Sequence, residues 1–107
     1  MILQWTKLAV ADLDDIYDYI TRENPSATEA VIDELRICVE RLVQFPLIGS
    51  TGLVTGTMEL VISTLPYVVS YRLLSRRSLQ VLAVLHTARD REHALALRLQ
   101  SRTAREK

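Results

Sequence analysis

The chain has 107 residues, 49% of them apolar, which holds one compact domain with an ordinary hydrophobic core and leaves no room for a second. Its single Cys excludes an internal disulfide framework, and thirteen basic residues against thirteen acidic ones exclude a generic polycation that coats nucleic acid. The start MILQWTKLAVAD has no secretory character and the longest apolar run, Leu60 to Val69, is cut by Ser63, Thr64 and Pro66, so a soluble cytoplasmic protein without membrane contact is expected.

Ile2 to Thr6, with Trp5, is too short for a helix and suits a first strand. From Lys7 on, Leu13, Ile16, Tyr17 and Ile20 recur at helical spacing, with Asp12, Asp14, Asp15 and Asp18 mostly on the other side. This amphipathic helix should stop near Glu23, because the residue before Pro25 avoids helical geometry, while Pro25 capped by Asn24 suits a new first turn. In the second helix Val31, Leu35, Cys38, Leu42 and Phe45 form one stripe, ended by Pro46. The two helices then make a hairpin.

Residues 46–57 hold all three glycines and read as loop. Met58 to Ile62, Tyr67 to Leu74 and Leu79 to His86 are Leu-rich, β-branched or aromatic runs joined by short connections, which predicts an antiparallel meander. Asp90 to Leu99 suits a terminal helix, and Ser101 to Lys107 reads as a frayed basic tail beyond a single domain over residues 1–100. The expected class is α+β, order β-α-α-β-β-β-(α), with a helical hairpin laid on one face of an antiparallel sheet.

The neutral total hides a polarity. Residues 1–35 carry eight acids against Lys7 and Arg22, and the remainder carries eleven bases against five acids. Such a distribution separates an acidic helical face from a basic closing region, suited to an acidic partner or a phosphate backbone as well as to plain solvation.

Trp5 closing the first strand, DLDDIYDYI at 12–20, NP at 24–25 and FPLIG at 45–49 resemble the RelE/ParE superfamily of toxins from type II toxin-antitoxin pairs. GTMELVI at 56–62, PYVVSYR at 66–72 and VLAVLHTARD at 81–90 look like the three meander strands of that superfamily, so the resemblance spans roughly residues 3–95. It implies a growth-arresting, plasmid-stabilising toxin, with a cognate antitoxin as main partner and no cofactor or small-molecule substrate. Two departures stand out: related sequences often carry Arg where this chain has Ser50 and Met58.

Within the superfamily two activities diverge. A RelE-like, ribosome-dependent mRNA endonuclease needs a proton carrier and cations for the charge developing on phosphorus. Arg72, His86 and Arg89 are the candidate catalytic set, with Arg72 and His86 expected on one sheet surface and Arg89 just beyond. The nuclease pattern is incomplete, because the last strand is followed by Arg89, Arg91 and His93 with no Tyr after Tyr71. The closing LHTARDREHAL is more similar to the ParE branch, which poisons DNA gyrase; in that case Arg72, His86, Arg89 and Arg91 would bind the target instead. A decayed toxin or a stand-alone binding module is the further alternative.

Each of these residues also has a plain role. Arg72 suits the polar face of a half-buried strand, His86 a hydrogen bond at a strand end, and Tyr67, Tyr71 and Cys38 suit the core. His86 and His93 lack a second ligand pair, so no metal site is expected.

Overall fold

A computed structural model describes residues 1–87 and Leu99. In chain order the elements are β1 (Ile2–Trp5), α1 (Lys7–Glu23), a 3-10 turn (Pro25–Ala27), α2 (Thr28–Gln44), β2 (Ser50–Thr51), β3 (Met58–Val61), β4 (Tyr67–Ser75) and β5 (Ser78–His86). The five strands form one sheet in the order β1-β5-β4-β3-β2, and the helical hairpin packs on one face. Leu99 lies in a turn, and the expected terminal helix and tail otherwise fall outside the described residues.

The sheet departs from the expected antiparallel arrangement. β2 through β5 pair antiparallel, but β1 pairs parallel to β5, from Ile2 opposite Ser78 to Trp5 opposite Val81. The reason is topological: two adjacent strands running the same way need a long crossover, and everything between β1 and β5 supplies it. The loop also contains β2, whose Ser50 and Thr51 pair with Glu59 and Met58.

Thr6 turns β1 directly into α1. Its hydroxyl accepts from the Ala9 N–H at 3.1 Å, capping the helix, and donates to the Leu82 carbonyl at 3.3 Å, fastening this corner to β5. Opposite, the β4–β5 register skips between Ser70 and Tyr71, so that Ser70 faces Ala83, Tyr71 faces Val81, and Leu82 is the extra residue of a bulge.

The core forms where the hairpin meets the sheet. Ala9 and Ile16 of α1, Leu35, Cys38, Val39 and Leu42 of α2, and Val69, Tyr71, Leu79, Val81 and Val84 of the sheet are all buried in one cluster. Two stripe residues leave it. Tyr17 is exposed because Ala9, Asp12, Leu13, Ile16 and Ile20 rotate the packed face away from it, and Phe45 is exposed because it follows the last turn of α2.

Asp12 is the opposite case, a carboxylate expected on the solvent side that is buried. Pairing of β1 ends at Trp5, so on its β1 edge β5 has no strand beside Val84 among the described residues, and the Asp12 carboxylate accepts the Val84 N–H at 2.9 Å. This side chain replaces a missing strand. Asp12→Ala should lower stability by about 1–3 kcal/mol, the cost of leaving a buried donor without its acceptor, readable as a lower thermal midpoint with unchanged far-UV circular dichroism.

Candidate functional site

Arg72 and His86 do not share a surface, contrary to the expectation from sequence. Tyr67, Val69 and Tyr71 of β4 point into the hairpin core, so Val68, Ser70 and Arg72 lie on the other side of the sheet. His86 pairs with Tyr67 and stacks edge-on against it, with ring centroids 5.8 Å apart, which places it on the hairpin side. The bulge at Leu82 contributes to this outcome, because one added residue reverses the side from which the following side chains emerge. Arg89, Arg91 and His93 lie outside the described residues.

On the open side Arg72 belongs to a polar row. Its guanidinium Nε donates to the Gln80 Oε1 at 2.8 Å across the β4–β5 pair. One register step away, Glu59, Ser70 and Ala83 stand in line across β3, β4 and β5, with Ser50 at the end on β2. Glu59, Ser70 and Gln80 are all buried, and the Ser70 hydroxyl makes no hydrogen bond among the described residues. The row is bordered by the apolar cluster of Leu82, Ala83 and Leu85, against which Val54 and Leu99 pack. Glu59 and Gln80 were not singled out from sequence; their signal was cross-strand, visible only once Arg72 is known to face Gln80.

The two positions that depart from related sequences have different surroundings. Ser50 pairs with Glu59 on the edge strand, and its hydroxyl sits 3.5 Å from the Glu59 carbonyl oxygen. Met58 pairs with Tyr71 and packs against the core, so it occupies the hairpin side of the sheet rather than the open side.

On the hairpin side His86 and Tyr67 border a groove of about 460 Å³ between α1 and the ends of β4 and β5. Burial pushes the Tyr67 phenol above its ordinary 10.0, and neighbouring Tyr19 adds to the rise. The Tyr71 phenol is raised from the same value by burial, opposed in part by the Gly49 N–H that donates to it. Tyr71 is a structural anchor: its hydroxyl donates to the Pro46 carbonyl at 2.8 Å and accepts from Gly49 at 3.1 Å, holding the loop to the sheet. Gly49 has no room for a side chain, because a Cβ would stand 2.6 Å from that hydroxyl.

These phenols carry a pH dependence. In the unfolded chain they ionise near 10.0, while in the fold they keep their protons to higher pH, so unfolding releases protons and stability falls as pH rises through and above 10.0. A thermal midpoint falling between about pH 9.5 and 11, less steeply in Tyr67→Phe, is the expected result.

Cys38 is buried and its thiol lies 3.6 Å from the Glu34 carboxylate, and burial raises its pKa ahead of that contact, which marks a core residue and not a nucleophile. Among the described residues no three His, Cys, Asp or Glu side chains converge on a metal-sized site, and no helix is long and apolar enough to cross a membrane.

Comparisons with known proteins match this architecture. The family model for the ParE toxin of the type II toxin-antitoxin system parDE matches residues 3–91. The chain is 33% identical over 84 residues to the toxin-named protein Y4kP of Sinorhizobium fredii, covering 78% of this chain and 85% of that one. It is 34% identical over 67 residues to the toxin RelE2 of Caulobacter vibrioides, covering 63% of this chain and 74% of the other. A solved structure from the chromosomal ParDE TA system of P. aeruginosa superposes with a TM-score of 0.72 at 27% identity, over 80% of this chain and 95% of that chain.

Proposed function

The chain belongs to the ParE family of toxins of type II toxin-antitoxin systems, and from that premise we propose that it arrests bacterial growth by poisoning DNA gyrase and is held inactive by a cognate antitoxin. The observation that carries the choice of target is the separation of Arg72 from His86 by the thickness of the sheet. A nuclease needs its proton carrier and its phosphate clamp around the same few atoms, within about 3 Å of reacting oxygens. A poison needs only a complementary surface, and the basic composition of the closing sequence, Arg89 and Arg91 included, suits a partner of opposite charge. A cognate antitoxin is supported by the family and by the solved neighbour, which comes from a ParDE TA system.

The second reading is an mRNA endonuclease acting on the ribosome, favoured by the RelE2 name of the Caulobacter relative. Inducing the chain alone in bacteria should arrest growth, and co-expressing the adjacent reading frame should restore it, with the two products co-purifying. The purified toxin should inhibit gyrase supercoiling and leave an initial phase of translation intact. Cleavage of mRNA in a purified translation system with gyrase unaffected establishes the second reading. Harmless expression with no partner frame favours a decayed toxin or a binding module.

A further inference from the structure

The groove beside His86 combines two kinds of surface that rarely serve the same ligand. Its floor is apolar, built by Ile16, Ile20 and Leu65, and aromatic rings of Tyr19 and Tyr67 stand along it. At its mouth is Asp15, which also borders the adjoining depression together with Asp18, Tyr19, Thr21 and Arg22, so two carboxylates face one guanidinium there. Neither Asp15 nor Asp18 forms an ion pair among the described residues, where the salt bridge found is Arg36–Asp33 on α2. The surrounding surface has the same sign, since residues 7–44 carry nine acids against four bases.

A purely apolar side chain would leave the carboxylates unused, and a small cation would leave the floor wet. Arginine and lysine satisfy both, because a methylene stem covers apolar surface while the head reaches the charged rim. Tyrosine faces add attraction for the same head. We propose that this groove receives an arginine or lysine side chain of the cognate antitoxin, seated on Ile16, Ile20 and Leu65 and held by Asp15 and Asp18. This rests on the antitoxin reading above and adds to it a docking point and the chemistry of the residue that fills it.

The test compares affinities of purified toxin variants for the product of the adjacent frame by calorimetry, with circular dichroism confirming the fold. Asp15, Asp18 and Tyr19 are exposed, so their replacement leaves the core intact. Asp15→Lys with Asp18→Lys should weaken binding about 30-fold or more, and Tyr19→Ala about tenfold, with Tyr19→Phe close to wild type. The control is Glu29→Lys with Asp33→Lys, the same charge change on exposed α2 positions outside the groove, which should cost no more than about threefold. An equal loss in the control means that only the general field of the hairpin matters and overturns the proposal. Affinity of the groove variant within threefold of wild type overturns it as well, with the antitoxin reading intact. If the wild-type toxin does not bind the partner product, the antitoxin reading falls and this inference falls with it.

Discussion

Leu42→Asp should abolish the cooperative thermal transition and leave a chain with helical signal but no fixed core. Leu42 is 0% exposed on the face of α2 that meets the sheet, and Leu35, about two turns earlier on the same face, is 2% exposed. An aspartate there has no cation within the cluster to pair with, and a buried unpaired charge costs several kcal/mol before the lost packing is counted. Removing the leucine side chain alone, as in Leu42→Ala, costs about 2–5 kcal/mol. Against a total stability of about 5–15 kcal/mol, the two losses together exceed what a domain of this size can absorb. A Leu42→Asp protein that still melts cooperatively would sink the assignment of this stripe to the core. Tyr17→Asp serves as the contrast: Tyr17 is 50% exposed, so it should leave the midpoint nearly unchanged.

The same contrast separates what the sequence makes legible from what it hides. Local signals carried the helices: the stripe of α2 and the Asn24-Pro25 break appear at Thr28–Gln44 and Pro25–Ala27, although Asn24 makes no side-chain cap to the turn it precedes. The strands of the meander were legible as apolar runs for the same reason, their period being local. Features that depend on residues far apart in the chain were not. Asp12 reads as one more acid on a polar face until β1 is known to stop at Trp5, leaving Val84, 72 positions away, in need of an acceptor. The parallel pairing of β1 has no local signature. A bulge at Leu82 leaves no mark in LQVLAVLH, yet it helps decide on which side of the sheet His86 emerges. The candidate site was therefore readable as residue types and not as an arrangement, since the arrangement turns on one extra residue in mid-strand.

That arrangement governs the last expected result. If the toxin acts through a binding surface, His86→Ala and Arg72→Ala should each raise the expression level needed for growth arrest by less than about tenfold, as replacing one contact in an interface commonly does. Because the two side chains emerge on opposite sides of the sheet, the effects of the pair should multiply, with no coupling. Arg72→Ala also leaves the Gln80 amide without its 2.8 Å partner, so part of its loss should appear as a lower thermal midpoint. Charge reversal in the closing segment, Arg89→Glu with Arg91→Glu, should abolish arrest, because it turns attraction toward a partner of opposite charge into repulsion. Cells arrested by the wild type should show DNA damage signalling before any fall in protein synthesis. A general acid or base behaves differently: its removal typically lowers a rate by about 10²- to 10⁴-fold, and residues acting as one catalytic unit give non-additive losses. Loss of arrest of that size in His86→Ala alone, together with loss of ribosome-dependent mRNA cleavage, would make His86 a catalytic residue and replace gyrase by messenger RNA as the target.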